Sequence, residues 1–260
     1  MKRDFEGNVA IVTGSTQGLG AAVVRQLVER GAAGVVITGR NEERANTVVT
    51  EVEAAGADAL FVRADLADPE APDHIVASAD DAFGRVDVLV NSAGLTDRDT
   101  LWDSTPKHFD SMVAVNTRAP WFLMQEAARV MVRERTAGTM VNVLSISSHG
   151  GQPYLATYCA SKAALAAYTK NTANALLEHR IRVNALNPGW MSTPAEDSIQ
   201  RRYHDAEDGW QEQAGRDLPF GQLIDPEDAA RAVPFLASPE SGFMTGAVVD
   251  YDQRVIGTYD

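Results

Sequence analysis

Short runs of valine and isoleucine alternate with longer segments of helical periodicity along almost the whole chain. The runs are continuously apolar rather than alternating, which is typical of strands buried on both faces of a sheet. Regular alternation of strand and helix favours parallel crossovers, and therefore a doubly wound α/β sheet with helices on both faces. We predict strands at 9–13, 35–38, 60–62, 86–90, 140–144, 182–186 and 247–250, and helices at 18–30, 42–55, after Pro69, at 106–135, at 156–177 and after Pro226.

Nothing in the sequence marks a second domain. There is no internal repeat, linker or low-complexity stretch, so we predict one domain over residues 1–260 with a seven-stranded, mostly parallel sheet. One long stretch, at about 190–225, has no clear period and is expected to be irregular. Loops of this length are usually functional or mobile, so we expect this one to cover a substrate.

Composition excludes several classes of function. Cys159 is the only cysteine, and the five histidines do not pair at metal-ligand spacing, so neither a disulfide nor a metal site is expected. The net charge of −13 argues against nucleic-acid partners and against anionic membrane surfaces. No apolar run approaches the ~18 residues of a membrane span, and the first residues do not resemble a signal peptide. We therefore expect a cytoplasmic location.

A glycine-rich loop, Thr13-Gly14-Ser15-Thr16-Gln17-Gly18-Leu19-Gly20, lies between the first strand and the first helix. Glycines let the backbone approach a pyrophosphate, and a helix N-terminus favours negative charge. The spacing differs from the usual Gly-x-Gly-x2-Gly fingerprint, and the alternative is a tight turn that only packs helix on strand. Its place directly after the first strand favours dinucleotide binding and a Rossmann fold.

Tyr158 and Lys162 begin a later helix and are spaced to share one face. Ser145 ends the preceding strand, and Asn116 lies within the long helix before that. Together with the glycine loop, this arrangement resembles the classical short-chain dehydrogenase/reductase family over nearly the whole chain. The matching pieces are Gly14/Gly18/Gly20, Asp65-Leu66, Asn91-Ser92-Ala93-Gly94, Asn116, Ser145, Tyr158/Lys162 and Pro188-Gly189 followed by Thr193.

The resemblance implies a role for each of four residues. Tyr158 would be the general acid/base for the substrate oxygen, with its pKa of ~10 lowered by a neighbouring ammonium and a cationic nicotinamide. Lys162 would supply that ammonium and hold the nicotinamide ribose, and Ser145 would stabilise charge on the substrate oxygen. Asn116 would bind a water that links Lys162 to solvent. Taken alone, Tyr158 would be interpreted as a half-buried helical tyrosine.

The reaction implied is hydride transfer between NAD(P)(H) and a small alcohol or carbonyl. Two alternatives stay open: a non-redox epimerase or dehydratase on the same scaffold, and a non-catalytic dinucleotide-binding regulator. The joint presence of Ser145, Tyr158 and Lys162 argues against the regulator. The expected cofactor-binding residues are Gly14, Thr16, Gln17, Gly18, Leu19, Gly20, Arg40, Asp65, Leu66, Asn91, Ala93, Gly94, Tyr158, Lys162, Pro188, Gly189, Met191 and Thr193.

NADP(H) is the favoured cofactor, with NAD(H) possible. Gly39 ends the second strand, where NAD-specific relatives carry an acidic residue for the ribose 2′-hydroxyl. Arg40 follows it and can bind a 2′-phosphate. Against this, Gln17 stands where many NADP-preferring relatives carry arginine. Asp65 is expected to bind the adenine amino group. The alternative role for this residue is that of N-cap for the next helix.

The resemblance also implies a homo-oligomer, expected to be a tetramer. In the family, the two long helices at 106–135 and 156–177 form one interface and the last strand forms another. The second helix is unusually rich in alanine, as a close helix–helix interface requires. Asp252-Gln253-Arg254 departs from the family's Asp-Gly-Gly, so the path of the tail stays open, as does the choice between tetramer and dimer.

A few further residues invite functional interpretations that we consider weaker than structural ones. Cys159 is expected to pack rather than to act as a nucleophile. Arg201-Arg202 is expected to lie on a solvated face rather than to clamp an anionic substrate. Ser147 is expected to be a solvated loop hydroxyl, with pocket lining as the alternative. The four tryptophans, Trp102, Trp121, Trp190 and Trp210, are expected in the core or in pocket walls.

Overall fold

One sheet of seven strands organises the residues 3–257 that the computed structural model describes. The strands are β1 (Val9–Val12), β2 (Gly34–Gly39), β3 (Asp58–Arg63), β4 (Val88–Asn91), β5 (Thr139–Val143), β6 (Arg182–Pro188) and β7 (Val248–Tyr251). Their order across the sheet is β3-β2-β1-β4-β5-β6-β7, and every neighbouring pair is parallel. The predicted doubly wound Rossmann fold is confirmed, and the sheet is wholly parallel.

Helices follow almost every strand. They are α1 (Gly18–Glu29), α2 (Glu42–Ala54), α3 (Ala71–Phe83), α4 (Pro106–Val113), α5 (Ala119–Arg133), α6 (Ala156–Ala175), α7 (Pro194–Tyr203), α8 (Trp210–Arg216), α9 (Pro226–Ala230) and α10 (Ala232–Ala237).

The two faces of the sheet carry separate cores. On β1, Ala10 and Val12 pack into one cluster with residues of α1, α2, α9 and α10. Ile11 points the other way, into a cluster with residues of α3, α5 and α6. All four residues of β1 are buried. Burial on both faces is the reason that this strand is continuously apolar.

The helical segment predicted at 106–135 is observed over 106–133, and its middle turn is π-helical rather than α-helical. A π-helical turn at Ala114–Arg118 separates α4 from α5. Pro120 lies in the first turn of α5 and has no N–H to donate to the preceding turn. Such π turns are frequent at functional sites, and Asn116 lies inside this one.

The segment at 190–225, expected to be irregular, contains the helices α7 and α8. Thr193 caps α7, because its hydroxyl oxygen accepts a hydrogen bond from Glu196 N at 3.1 Å, and Pro194 is the first helical residue. No residue of α7 is buried, so it lacks the apolar period by which helices are predicted. The two ends of the segment meet where Ile224 N donates to the Trp190 carbonyl at 2.9 Å.

The atypical C-terminal tail packs against the end of the 190–225 segment. Gln253 Nε2 donates to the Gln222 carbonyl at 2.6 Å, and Gln253 Oε1 accepts from Phe220 N at 2.8 Å. A side-chain amide thus ties the tail to that segment, at a position where the family usually has glycine. Residues 258–260 of the tail, like residues 1–2, lie outside the described residues.

Residues 3–257 contain neither a membrane-spanning helix nor a group of metal-binding side chains. None of their helices combines the length and the apolarity that crossing a bilayer requires. Nor do these residues bring three or more histidine, cysteine, aspartate or glutamate side chains into a group that could hold a metal ion.

Candidate active site

The parallel sheet gathers distant parts of the sequence at one edge. The glycine loop follows β1, Asn91–Gly94 begins at the last residue of β4, Ser145 follows β5 and Gly189 follows β6. Because parallel strands end on the same side of a sheet, these four segments lie together. The strand order also reverses between β1 and β4, which is where ligands bind in doubly wound sheets.

The glycine loop is shaped for close backbone approach. Gly14 has a φ of +65°, and a Cβ built on it would lie 2.7 Å from Ala93 Cα. A Cβ on Gly20 would lie 2.5 Å from the Gly14 carbonyl oxygen. Gln17 precedes α1 without a side-chain cap, so no capping side chain blocks the helix N-terminus. The loop therefore fits a phosphate group, which such termini favour.

The end of β2 has no room for a side chain. A Cβ built on Gly39 would lie 2.6 Å from Thr16 Cγ2. Arg40, the next residue, is exposed, and its Nη1 lies 3.9 Å from Asp65 Oδ2. The other predicted cofactor residue of this region, Gln17, accepts a hydrogen bond from Arg44 through Oε1. The region thus presents two guanidinium groups, those of Arg40 and Arg44.

Asp65 does not cap the helix that follows it. Its Oδ1 accepts from Ala67 N at 3.0 Å, whereas α3 begins at Ala71 after Glu70. The N-cap alternative is therefore wrong. More than half of the Asp65 side chain is exposed (54%), so it remains accessible to a ligand.

Three of the expected cofactor residues turn their side chains into the protein. Leu19 and Leu66 are buried within the two cores, and Asn91 is 1% exposed. Asn91 Nδ2 donates to Asn142 Oδ1 at 2.9 Å. The side chains of these three residues are therefore mostly covered by the protein itself.

Tyr158 lies in the first turn of α6, and the side chains of Ser145 and Thr96 lie near enough to its hydroxyl to affect its pKa. Burial raises the pKa of Tyr158, while Ser145 and Thr96 lower it in part. The carboxylate of Glu196 raises this pKa further. The net shift from these protein groups is upward, and the lowering expected from the sequence, which depends on a cationic nicotinamide, stays a prediction. Lowering this pKa requires positive charge added to the site.

Lys162 lies one turn after Tyr158, with its Nζ 5.9 Å from the centroid of the tyrosine ring. The side chain is 3% exposed, and Nζ donates to the Val143 carbonyl at 2.9 Å. Burial lowers the pKa of Lys162 to about 8. An ammonium has three donors, and within residues 3–257 the Val143 carbonyl is the one acceptor that hydrogen-bonds to it. Lys162 therefore has donors left for a ligand.

Asn116 joins the π turn to the loop after β4. Its Oδ1 accepts from Leu95 N at 2.8 Å, and its Nδ2 donates to the Leu95 carbonyl at 2.8 Å and to Ser161 Oγ at 3.1 Å. A Cβ built on Gly94 would lie 3.8 Å from Asn116 Oδ1 and 3.4 Å from Lys162 Nζ. Asn116 and Lys162 thus both lie beside Gly94.

The residues after β6 join the 190–225 segment to the glycine loop. A Cβ on Gly189 would fall 1.9 Å from Asp252 Oδ1, so a side chain there would require the Asp252 carboxylate to move. A Cβ on Gly18 would lie 3.7 Å from the Thr193 side chain, which places the start of α7 beside the loop. Met191 packs partly buried against the core of α1.

Sequence reasoning missed two residues that shape this site. Thr96 lies two residues after the Asn91–Gly94 motif and near enough to the Tyr158 hydroxyl to lower its pKa. Asn187 Oδ1 accepts from Ser145 N at 3.1 Å and from Ser148 Oγ at 3.0 Å, and so orients the loop of the candidate serine. Their positions next to recognised motifs are the signal that could have found them.

Asp99, also missed, fixes the start of α6. Its carboxylate accepts from Thr157 N at 3.1 Å, from the Thr157 hydroxyl and from Ser104 Oγ at 2.8 Å. Burial raises the pKa of Asp99, but the hydrogen bonds from Thr157 and Ser104 outweigh it and hold the pKa below its usual value. A buried carboxylate thus anchors the residue directly before Tyr158.

The structural interpretations hold for Cys159 and Arg201. The Cys159 thiol is buried, burial raises its pKa, and its Sγ lies 3.7 Å from Gln152 Oε1. Arg201 is an exposed residue of α7 that pairs with acidic residues of its own segment.

Two predictions about single residues are wrong. Trp102 is 91% exposed, so it is neither in the core nor in a pocket wall. Ser147 is buried rather than solvated, in the short 3-10 helix that follows Ser145. Trp190 and Trp210 pack together with ring centroids 5.9 Å apart, and Trp121 packs on Tyr168 at 4.5 Å.

Comparison with known proteins gives consistent matches along the chain. A family model described as enoyl-(acyl carrier protein) reductase matches residues 14–253. A 2,5-dichloro-2,5-cyclohexadiene-1,4-diol dehydrogenase of Sphingobium indicum is 35% identical over 252 residues, covering 97% of each chain. An L-rhamnose 1-dehydrogenase (NAD(P)(+)) of a Sphingomonas species is 33% identical, covering 95% of this chain and 96% of the relative. A crystal structure of a dehydrogenase/reductase from Sinorhizobium meliloti 1021 has a TM-score of 0.85 at 34% identity, covering 96% of this chain and 97% of that one.

Proposed function

Because this chain belongs to the classical short-chain dehydrogenase/reductase family and is an NAD(P)-dependent oxidoreductase, we propose that Tyr158 is its general acid/base. The observation that carries the proposal is the position of the buried Lys162, whose Nζ lies 5.9 Å from the centroid of the Tyr158 ring, at the sheet edge where Ser145 follows β5. Turnover of reduced nicotinamide with a panel of aldehydes and ketones, followed by absorbance, tests it. No turnover with any carbonyl would count against it.

The residues at this edge of the sheet suit the binding of a dinucleotide. Side chains on Gly14 or Gly20 would collide with the backbone of Ala93 and of the loop itself, so the glycines keep the loop compact where the dinucleotide would lie, and Lys162 keeps unused donors. The bound nicotinamide supplies the carbon that gives or takes the hydride. We assign its binding to Gly14, Thr16, Gln17, Gly18, Leu19, Gly20, Arg40, Asp65, Leu66, Asn91, Ala93, Gly94, Tyr158, Lys162, Pro188, Gly189, Met191 and Thr193.

Four side chains share the remaining chemistry in this proposal. Tyr158 gives its proton to the substrate oxygen during reduction and takes it back during oxidation. The Ser145 hydroxyl donates to the same oxygen and stabilises charge developing there. Lys162 holds ribose hydroxyls and favours the phenolate of Tyr158 by its charge. Asn116 binds a water through which Lys162 exchanges protons with solvent.

NADP(H) is expected to be preferred over NAD(H). Thr16 leaves no space for an acidic side chain at Gly39, and the exposed Arg40 can bind a 2′-phosphate. Arg40→Ala should therefore lower kcat/KM for NADP(H) by about tenfold, which is the scale of one charge-assisted hydrogen bond, and change that for NAD(H) little. Arg231→Ala, which removes another exposed arginine, is the control. Better use of NADH, unchanged in Arg40→Ala, would contradict the preference.

The 190–225 segment is expected to be mobile and to order over the substrate. It is held at its base by Trp190 and Ile224, but α7 buries none of its residues. Segments with few buried contacts open at low free-energy cost. Hydrogen exchange should therefore be fast in this segment in the free protein and slow with cofactor and substrate bound. High protection in both states would mean a fixed wall.

A homotetramer with three perpendicular twofold axes is expected. On α6, the exposed residues Ala156, Ala160, Ala163 and Ala167 form a stripe of small side chains at helical spacing. Phe122 of α5 is 40% exposed and adds apolar surface. Twofold interfaces are self-complementary and combine readily into such assemblies. Sedimentation at micromolar concentration should give four times the chain mass; a dimer would mean that only one interface forms, and a monomer would contradict both.

A further inference from the structure

Ser145 is held in position through both its backbone and its hydroxyl. Its N–H donates to Asn187 Oδ1 at 3.1 Å, and its Oγ accepts from Ser147 N at 3.2 Å. Because Oγ accepts that bond, the hydroxyl hydrogen remains available for an acceptor such as the substrate oxygen of the proposed mechanism. The position from which Ser145 donates therefore depends on Asn187.

The side chain of Asn187 is completely buried, so its amide must find its partners within the protein. Asn187 lies near the end of β6, and its Oδ1 accepts from Ser148 Oγ at 3.0 Å as well as from Ser145 N. A backbone N–H only donates, so Ser145 is anchored only while the amide presents its oxygen. The orientation of the Asn187 amide thus decides whether Ser145 is held.

Asp250 fixes that orientation from the neighbouring strand. Asn187 and Asp250 are paired residues of β6 and β7, and Asn187 Nδ2 donates to Asp250 Oδ1 at 2.8 Å. A carboxylate only accepts hydrogen bonds, so the amide nitrogen has to face β7 and the amide oxygen has to face Ser145. A flipped amide would place its oxygen against the carboxylate and its NH2 group against the N–H of Ser145.

His149 closes these contacts into a ring. Its Nε2 lies 3.0 and 3.2 Å from the two carboxylate oxygens of Asp250, and 3.2 Å from Asn187 Nδ2. His149 ends the short 3-10 helix that begins directly after Ser145. Because a carboxylate only accepts, the imidazole is the donor in this contact. The Asp250 carboxylate therefore ties β6 to the loop that carries Ser145.

We propose that Asp250 is a positioning residue for the reaction: it holds the Asn187 amide in the orientation that keeps the Ser145 hydroxyl directed at the substrate oxygen. Asp250 acts through Asn187, and in this proposal it touches neither substrate nor cofactor. The inference rests on the proposed function of Ser145. It gives the last strand of the sheet a part in the chemistry of the site.

Kinetics of two substitutions at Asp250 are the first test. Asp250→Leu removes the acceptor at similar size and should lower kcat about tenfold, the scale of one hydrogen bond, with KM for the cofactor unchanged. Asp250→Asn keeps an oxygen that can accept from Asn187 and should retain most of the rate. Asp58→Leu removes an exposed aspartate from β3, at the opposite edge of the sheet, and should leave kcat unchanged.

A double-mutant cycle with Ser145→Ala is the second test. If Asp250 acts through Ser145, Asp250→Leu should lower kcat about tenfold in the wild-type background and no further once Ser145 is replaced by alanine. A structural role elsewhere would lower kcat by the same factor in both backgrounds. The cycle thus separates the positioning of Ser145 from a general loss of structure.

Hydrogen exchange resolved to single residues is the third test, and it needs no turnover. The N–H of Ser145 donates to Asn187, so Asp250→Leu should speed the exchange of this amide about tenfold and leave the amides of β5 unchanged. Asp250→Asn and Asp58→Leu should keep the wild-type exchange rate. Asp250→Ala is a smaller change at the same exposed position and should give the same results as Asp250→Leu.

Three results would overturn the assignment: an unchanged kcat in Asp250→Leu, an equal further loss in the Ser145→Ala background, or unchanged exchange of the Ser145 amide. Absence of nicotinamide turnover in the wild type would instead contradict the proposed function. Hydrogen exchange would still decide the role of Asp250 in that case, and also where Ser145→Ala is too slow to measure, because it reports the anchoring of Ser145 directly.

Discussion

Tyr158→Phe is expected to reduce turnover by roughly 10³-fold, within the range attributed to general acid/base catalysis, while leaving cofactor affinity largely intact. The phenol oxygen is the proton donor or acceptor in the proposed mechanism, and Ser145 and Thr96 lie near enough to it to lower its pKa. The phenylalanine ring fills the same space at the start of α6. Steady-state kinetics with a carbonyl substrate and fluorescence titration of the reduced cofactor measure the two quantities separately.

The same helix offers a matched control. Tyr168 stacks on Trp121 with ring centroids 4.5 Å apart, a contact that phenylalanine preserves. Tyr168→Phe should therefore keep normal rates. Near wild-type turnover in Tyr158→Phe would refute the assignment of the acid/base.

Lys162→Ala is expected to lose both turnover and cofactor affinity. The buried ammonium donates to the Val143 carbonyl and has further donors free for ribose hydroxyls. Its charge also favours the phenolate of Tyr158, so its removal affects the proton transfer as well. Cofactor titration and steady-state kinetics on the same preparation should show a lower cofactor affinity and a lower turnover rate. Lys170→Ala, an exposed change on α6, should alter neither, and loss of turnover with unchanged cofactor affinity would contradict the double role.

Stability against pH gives a second readout for Lys162. Burial lowers its pKa to about 8, below the usual 10.5. Below pH 8 both states carry the proton and the folded state bears the cost of the buried charge. Between pH 8 and pH 10.5 the unfolded chain binds more protons than the folded protein. The free energy of unfolding should therefore rise with pH over this range, by about 3 kcal/mol in total. Chemical denaturation across this range should show the rise in wild type and not in Lys162→Ala.

The fold could be predicted because its signals are local and repeated. β1 is buried on both faces, and both of its faces are apolar in the sequence. The need for glycine at positions 14 and 20 is also local, because a Cβ at either position would collide with neighbouring backbone. The order of motifs along the chain then indicated which strand ends carry the site. The relatives found by comparison confirm the family.

The errors lie where a helix has no buried face or where one turn departs from regular geometry. The sequence pattern of α7 has no apolar period, although Thr193-Pro194 is a readable start signal. The π turn around Asn116 keeps the helical periodicity of its neighbours, so periodicity could not reveal it. Residue type alone places Trp102 in the core or in a pocket wall, and it is exposed.

The sequence by itself determined the α/β class, the family and the identity of the candidate catalytic residues, because strand burial, glycine packing and motif order are properties of short segments. Only the tertiary structure decided what surrounds those residues. Thr96 and Glu196 are 62 and 38 residues from Tyr158 in the sequence, yet both influence its hydroxyl. The pKa of Tyr158 depends on burial and on charges brought close by folding. Both effects add contributions from residues that are neighbours in space, so they cannot be predicted from a local sequence pattern.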